Sequence, residues 1–280
     1  MDILIPILEA AVFLVVAVVL LWTTKSFFLV YEKWIDREEE VSSVLNTAEA
    51  VRRAGLFIGS AIALSAPLIN GSHETFSNDL VVTLIDAVAI MILMLITTAL
   101  NDKVLMPHID NGDAVASGNI TVALIEFGAY FATGLVLFGS FIGSGPWLSS
   151  IIFFLLTQIL LWVIVRLYEW QVSFDLRDAV TKNNSSAGII LAAMMISYGV
   201  ILSSVVSGNF VSWEEDLYAF LVSTLIAVSM IVIVFNSIID KLFLPGFHLH
   251  KSIEEKNIAT VIIAASLKVS LSIIIAQVIV

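Results

Sequence analysis

Cysteine is absent from this chain, and charged residues make up only 13% of it. Without cysteine there is no disulfide framework, no thiolate metal ligand and no cysteine nucleophile. Soluble domains average about 25% charged residues, whereas 59% of this sequence is hydrophobic. The composition therefore excludes an ordinary soluble domain and predicts an integral membrane protein.

Motifs that would indicate catalysis or nucleotide binding are also missing. The sequence contains no GxxxxGK[ST] phosphate loop, no HExxH zinc motif and no GxSxG nucleophile motif. His248 and His250 are two positions apart in a loop and are the one alternative for a metal site, although loop histidines of this kind are usually solvated. We expect no enzyme activity, no catalytic residues, no cofactor and no metal.

Long hydrophobic runs dominate the sequence. Eight of them are long enough to span a membrane, because a helix needs about 20 apolar residues to cross the bilayer. Their continuous hydrophobicity favours helices over barrel strands and predicts an all-α protein. The predicted spans are residues 3–30, 48–69, 80–100, 120–142, 147–167, 187–206, 217–239 and 258–280.

Lysine and arginine are missing from every second loop and from both termini. They occur in the loops after the first, third, fifth and seventh spans and in their flanks, and Lys268 is the exception. The positive-inside rule places these loops in the cytoplasm and both termini outside. The outer face is then purely acidic, which indicates either solvated loop ends or a vestibule that attracts cations. Its acidic residues are Asp2, Glu74, Asp79, Glu214, Glu215 and Asp216.

The chain repeats itself at a fixed offset. NDKVLMPHID, beginning at residue 101, matches IDKLFLPGFH, beginning at residue 239, and the Asn119–Ile120 pair has its counterpart in Asn257–Ile258. Two tandem units of four spans follow, residues 1–143 and 144–280. Because four is an even number, both units enter the membrane in the same direction, and a pseudo-twofold axis along the membrane normal is expected. The shared turn motif consists of Asp102, Lys103 and Pro107 and, 138 positions later, Asp240, Lys241 and Pro245.

These features resemble the domain of unknown function 350 family, small bacterial inner-membrane proteins whose unit has about four spans. The resemblance rests on the four-span unit, the Asp-Lys-x-x-x-Pro turn after the third span and the Asn-Ile pair before the fourth, and it covers nearly the whole chain. It implies a multi-pass protein of the bacterial inner membrane. Genes of this family often lie near those of phage-shock-protein-A-like and envelope-stress proteins, which implies a setting but no catalytic residues.

Charges inside the spans are the most informative residues, because a charge at membrane depth tends to face the bundle interior or a water-filled cavity. Lys268 lies eleven residues past Asn257, roughly 16 Å into the last span. Glu126 lies about one turn shallower in the fourth span, where Tyr130 occupies the position equivalent to Lys268. We predict that Glu126 and Lys268 form an ion pair across the pseudo-twofold axis, either as a structural tie or as part of an ion pathway.

Three further charged residues lie at the start of the second span, and one lies in the third. Arg52 and Arg53, with Glu49 one turn earlier, are expected to snorkel to the cytoplasmic interface, or alternatively to bind lipid phosphate or line a cytoplasmic opening. Asp86 enters the third span from the acidic side. With Glu9 of the first span it forms an outer polar cavity in one interpretation, and in the other it pairs locally with hydroxyls or water.

Two functional hypotheses follow, of different classes. The first is a non-enzymatic scaffold or sensor linked to envelope-stress machinery, with a peripheral cytoplasmic protein recruited through residues 32–46. The second is a channel or secondary transporter for a small ion, a proton or another cation, whose path is lined by Asp86, Glu126 and Lys268. The expected partner is the lipid bilayer, and no binding of nucleic acid is expected. A homodimer is compatible with the sequence but is not required by it.

Overall fold

The computed structural model of the protein describes all residues except 1–3, 37–45, 71–74, 108, 172–175, 234–242, 244–248 and 280. The described part is almost entirely helical. Its helices are α1 Leu4–Asp36, α2 Thr47–Ile69, α3 Phe76–Leu105, α4 Asn111–Ala116, α5 Ile120–Phe141, α6 Trp147–Gln171, α7 Leu176–Thr181, α8 Ser185–Val206, α9 Trp213–Ile233, α10 Leu249–Glu254 and α11 Ile258–Ile279.

Seven of the described helices are long and apolar enough to cross a membrane: α1, α2, α3, α5, α6, α8 and α11. The prediction of an all-α membrane protein is therefore confirmed. The predicted seventh span corresponds to α9, which begins with the acidic residues Glu214, Glu215 and Asp216 and is described only as far as Ile233. An eighth span thus stays a prediction.

A short motif precedes three of the long helices. The six-residue helices α4, α7 and α10 each lead through a two-residue turn to an asparagine, namely Asn119, Asn184 or Asn257. The second turn residue has a positive φ in each case: 86° at Gly118, 48° at Asn183 and 55° at Lys256. These short helices and the starts of α2, α5, α8 and α11 lie on one side of the membrane, which we call the basic side; the opposite side is the acidic side.

Each asparagine caps the long helix that follows it. The side-chain oxygen of Asn119 accepts a hydrogen bond from the Val122 amide, and that of Asn257 accepts one from the Thr260 amide, 138 positions later. Asn46 caps α2 in the same way and forms a capping box with Glu49. An asparagine cap satisfies an amide that the first turn of a helix leaves without a partner.

The capped helices form a row in the order α2, α5, α8, α11, which we call the inner row; each helix packs extensively on the next. The caps of α2, α5 and α8 connect neighbours, because each of these three asparagines also donates its Nδ2 to a carbonyl in the short helix that precedes the next helix of the row. The distances are 3.0 Å from Asn46 to Val115 O, 2.9 Å from Asn119 to Val180 O and 2.8 Å from Asn184 to Ile253 O.

Glycines bring the backbones of the inner row into contact. A Cβ on Gly128 of α5 would lie 2.5 Å from the Ala192 Cα of α8, and a Cβ on Gly55 of α2 would lie 2.5 Å from the Phe127 Cα of α5. Only residues without side chains permit such an approach, and small residues are the usual basis of helix association in lipid.

The remaining long helices lie over the grooves of the inner row. Helix α3 contacts α2 and α5, α6 contacts α5 and α8, and α9 contacts α8 and α11. Helix α1 contacts α2, α3 and α4, and only 11% of its span is buried, against 39–72% for the other spans.

Hydrogen bonds also join the helix ends on the acidic side. Asn70, at the end of α2, donates to the Phe141 carbonyl at 2.5 Å and accepts from the Gly143 amide at 2.9 Å. Asn209, after α8, accepts from the Ser144 amide at 2.9 Å, and the Phe210 amide donates to the Ser144 carbonyl at 2.8 Å. The pairs α2–α5 and α5–α8 of the inner row are therefore tied at both membrane surfaces.

We expect Gly128→Ala to destabilise the protein, because its methyl group would overlap the Ala192 backbone. Overpacking of this kind costs about 1–3 kcal/mol, and a backbone neighbour cannot rotate away. Thermal unfolding in detergent measures the effect. Val81→Ile is the control, since it adds one methylene to an exposed side chain of α3. Equal melting temperatures for both variants would contradict backbone contact between α5 and α8.

Candidate functional site

A buried ion pair joins α2 to α5. Arg52 lies in the second turn of α2 and Glu126 in the second turn of α5, and their residues are 5% and 3% exposed. The Arg52 Nε is 2.8 Å from the Glu126 Oε2. Removing two charges from solvent is costly unless they are paired, so this contact accounts for the presence of both residues at membrane depth.

Aromatic and polar groups surround the pair. The Arg52 Nε also donates to the Tyr130 hydroxyl at 3.5 Å, and the guanidinium lies 5.4 Å from the centre of the Phe28 ring. Asp102, near the end of α3, and Asn111, at the start of α4, interact with Glu126. The Asn111 Nδ2 donates to the Asp102 Oδ1 at 3.5 Å. The pair is thus the centre of a cluster to which α1, α2, α3, α4 and α5 contribute.

The predicted partner of Glu126 was wrong. The structure pairs Glu126 with Arg52 rather than Lys268. Helices α5 and α11 pack against different faces of the same neighbour, α8, so the two fourth spans are not adjacent members of the inner row. Lys268 is itself buried, 4% exposed, in α11. The prediction failed because it joined the equivalent helices of the two units directly, whereas the inner row alternates second and fourth spans.

Snorkelling, the favoured interpretation of the two arginines, is wrong for Arg52. Arg52 turns inward to Glu126, while Arg53 is half-buried and Glu49 belongs to the capping box of Asn46. The capping asparagines Asn46 and Asn184 are 138 positions apart, which makes Ile190 the counterpart of Arg52. The second unit therefore has no equivalent ion pair at these positions, since the counterpart of Glu126 is Ala264.

The three residues of the turn motif in the first unit lie in different environments. Asp102 is half-buried beside the ion pair, Lys103 is exposed, and Pro107 is exposed in the turn that follows α3. Asp240, Lys241 and Pro245, the equivalent residues of the second unit, lie outside the described residues. The motif thus contributes one residue, Asp102, to the cluster.

A polar face extends along α5 away from the ion pair. Glu126, Thr133 and Ser140 are spaced by seven residues, about two turns, so they lie on the same face. All three are buried, and together they cover about 21 Å of helix. The Thr133 hydroxyl accepts a hydrogen bond at 3.4 Å from Asn101 of α3, which in turn accepts one at 2.6 Å from the Trp162 indole of α6.

Buried polar atoms without hydrogen-bond partners continue this face toward the acidic side. Thr98 lies one turn before Asn101 in α3, and Gln158 lies one turn before Trp162 in α6. Among the described residues, no hydrogen bond is made by the Thr98 hydroxyl, by either polar atom of the Gln158 amide or by the Ser140 hydroxyl. Buried polar groups are normally paired, and ordered water is the usual partner when protein is not. We call the set Glu126, Thr133, Ser140, Asn101, Thr98, Trp162 and Gln158 the polar seam.

A cavity of about 510 Å³ lies at the acidic end of the polar seam. Ser140, Asp86 and Asp216 line it, together with Asn70, Asn209 and the aromatic rings of Trp147 and Phe210. Asp86 lines this cavity, whereas Glu9, which one interpretation of the sequence placed beside it, is not among the lining residues. Glu9 lies on α1, whereas the lining residues come from the ends of other helices and the loops between them.

Sequence reasoning missed the neutral part of the seam, because it searched for ionisable residues. Asn101, Trp162 and Gln158 carry no charge; Trp162 and Gln158 lie in a strongly apolar stretch, and Asn101 stands beside the charged pair Asp102 and Lys103. The seven-residue spacing of Glu126, Thr133 and Ser140 was a usable signal, since it marks one polar helix face within an apolar span.

Tandem units of apolar helices, with charged and polar groups sequestered inside the bundle, define a multi-pass helical membrane protein. The chain belongs to the DUF350 family, a domain of unknown function: the family profile matches residues 2–141 and again residues 142–279. The chain is also similar to a UPF0719 transmembrane protein of Aquifex aeolicus (strain VF5), at 21% identity over 235 residues that cover 82% of this chain and 84% of that protein. No solved structure matches the chain significantly. The predicted family resemblance is confirmed.

We expect the Arg52–Glu126 pair to show strong coupling in a double-mutant cycle. Arg52→Met or Glu126→Leu alone leaves one buried charge without its partner, which costs about 3–5 kcal/mol. The double variant Arg52→Met/Glu126→Leu removes both charges and should recover most of that loss. Unfolding in mixed detergent micelles measures the free energies. Additive losses in the double variant would show that the two side chains do not interact.

Proposed function

We propose that this protein moves a small cation, most simply a proton, across the bacterial inner membrane. The observation that carries the proposal is the polar face of α5, which runs from the buried Arg52–Glu126 pair to a cavity at the acidic side. A structural ion pair alone needs no such continuation. Intramembrane carboxylates that face the bundle interior are typical of ion and proton pathways.

The cavity is suited to collecting cations. Asp86 and Asp216 are among its lining residues, and lysine and arginine are not. A concave site lined by charges of one sign raises the local concentration of counter-ions. We propose that cations enter here.

The middle of the polar seam offers neutral hydrogen-bonding groups. The hydroxyls of Thr98, Thr133 and Ser140 can both donate and accept, and the Gln158 amide has a free donor and acceptor among the described residues. Such groups hold bridging water, and a chain of water and hydroxyls passes protons without moving a bulky ion. The tight packing of the inner row favours a proton over a larger hydrated cation.

The basic end of the seam holds the groups that exchange protons. Glu126, Asp102 and Tyr130 lie together there, and carboxyl groups are common proton donors and acceptors. Arg52 fixes the position of Glu126 and balances its charge. We propose that Glu126 binds the transported proton and that Asp102 passes it toward the basic side.

The direction of the path is part of the proposal. Among the described residues, lysines at the end of α3 and in the turns before α8 and α11, namely Lys103, Lys182 and Lys256, lie on the basic side. The positive-inside rule supports placing that side in the cytoplasm and both termini in the periplasm.

We expect Glu126→Gln and Thr133→Val to lower proton flux in liposomes that contain the purified protein and a pH-sensitive dye. Thr133→Val keeps the side-chain volume but removes one hydrogen-bonding group, and a loss of about 1–3 kcal/mol corresponds to a rate roughly 5- to 160-fold lower. Glu254→Gln is the control, because it removes an exposed carboxyl of α10. Flux equal to that of empty liposomes for the unmodified protein would exclude transport. Full flux in both seam variants would place the path elsewhere.

A scaffold or sensor is the second candidate function. It is favoured by the ion pair itself, which ties α2 to α5 and so stabilises the first unit. The segment predicted to bind a peripheral protein, residues 32–46, lies largely outside the described residues. A protein that carries no flux, and that binds a cytoplasmic partner only when residues 37–45 are intact, would support this function instead.

A further inference from the structure

We infer that copies of this chain associate head to tail in the membrane, with α11 of one copy packed on α2 of the next. The inner row would then continue from copy to copy. The inference concerns assembly and does not depend on transport.

The interface in question already occurs within the chain. Where α5 meets α8, Gly128 lies against Ala192, Ala132 against Gly199 and Gly139 against Ser203. The α5 cap also joins the two units, because the Asn119 Nδ2 donates to the Val180 carbonyl, four residues before the next cap. The same bond recurs from Asn46 and from Asn184. Each inner helix therefore has one face for the helix before it and another for the helix after it.

The exposed face of α11 is equivalent to the face with which α5 binds α8. Positions 138 residues after Gly128, Ala132 and Gly139 are Ser266, Ser270 and Gln277, and all three are exposed. The lipid-facing side of α3 is different, since it presents large apolar residues such as Val88, Ile92 and Ile96. Small and polar residues at helical spacing are characteristic of a helix–helix contact in lipid.

The free face of α2 is equivalent to the face with which α8 receives α5. Positions 138 residues before Ala192, Gly199 and Ser203 are Ala54, Ala61 and Ser65, which are half-buried or exposed. Ala50 continues this stripe by one turn and is exposed. The two ends of the inner row thus carry the two halves of one interface, matched position by position.

The last asparagine cap of the row, Asn257, makes fewer hydrogen bonds within the described chain than its equivalents. Asn257 caps α11 through the Thr260 amide, as its equivalents do in their own helices. Its side chain is exposed, and among the described residues its Nδ2 donates to no carbonyl, unlike those of Asn46, Asn119 and Asn184.

The exposure of α1 is an independent indication. Helices α3, α6 and α9 each lie in a groove between two inner helices, whereas α1 packs mainly on α2 and reaches α5 through the contact of the Phe28 ring with Tyr130, whose centres are 6.3 Å apart. Its span is 11% buried, the lowest value among the seven. The α11 of a preceding copy would supply the second wall of the groove over which α1 lies.

These matches identify the occupant as a second copy of the chain. An interface between different faces of identical subunits is heterologous, so it forms a ring if the rotation closes and an open chain if it does not. It differs from a twofold dimer, in which α11 would meet α11.

Disulfide cross-linking tests the inference directly, because the chain contains no cysteine of its own. In the internal interface Gly128 meets Ala192, so the equivalent intermolecular pair is Ser266 and Ala54. We expect Ala54→Cys/Ser266→Cys, oxidised in native membranes, to give dimers and higher oligomers that disappear on reduction. Ser270→Cys/Ala61→Cys, which is equivalent to the internal contact of Ala132 with Gly199, is the second variant should the first pair fail to fold.

Two control variants separate the contact from random collision and from a twofold dimer. Ile96→Cys/Ser266→Cys puts the second thiol on the exposed side of α3, about 14 Å from the basic end of that helix and at a depth similar to Ala54. Neither this variant nor Ser266→Cys alone should form more than a small fraction of the oligomer. Dimers of Ser266→Cys alone, equal cross-linking in the Ile96 variant, or only monomers in both Ala54 and Ala61 variants would each overturn the inference.

Discussion

Helices that lie in lipid gain little by hiding apolar side chains from one another, so their association depends on how closely their backbones approach. The inner row meets this constraint with glycine and alanine at the contacts between α2, α5 and α8. The asparagine caps and the loops of the acidic side can bridge neighbouring helices only because the helices stand this close. The ion pair depends on the same spacing, since Arg52 reaches Glu126 across the contact between α2 and α5.

The charged cluster shows how a duplicated chain acquires a single site. Both units cap their helices with equivalent asparagines and bridge them through equivalent carbonyls. Only the first unit carries Arg52 and Glu126, whereas the second has Ile190 and Ala264 at these positions. The capping bonds that both units share hold the helices together, and the charged site is formed by positions at which the two units differ. This division accounts for a polar seam that follows α5, the helix at which the two units meet.

Hydropathy, the basic loops and the 138-residue repeat were sufficient to predict a tandem helical membrane protein, because these signals reflect the bilayer itself. They also identified Glu126, Tyr130, Arg52 and Asp86 as residues of interest. The partner of each buried charge could not be predicted in the same way. Whether Glu126 meets Arg52 or Lys268 depends on the order of helices in the row, and that order is decided by glycine contacts and cap bonds between residues far apart in the chain. The neutral residue Gln158 was missed because a single amide in an apolar run carries little weight in hydropathy, and Asn101 because the search near it was for the charged residues Asp102 and Lys103.

The ties at both membrane surfaces have a consequence for motion. Alternating access requires one group of helices to rock against another, but Asn119 links α5 to the unit of α8 on one surface, and Ser144 and Asn209 link the same neighbours on the other. Helices α5 and α8, held together at both membrane surfaces, cannot separate at one surface without breaking these bonds. Any transport across such a protein would therefore proceed by transfer of the ion between side chains in fixed positions. Its rate would not depend on a conformational change of the whole bundle, as that of a carrier does.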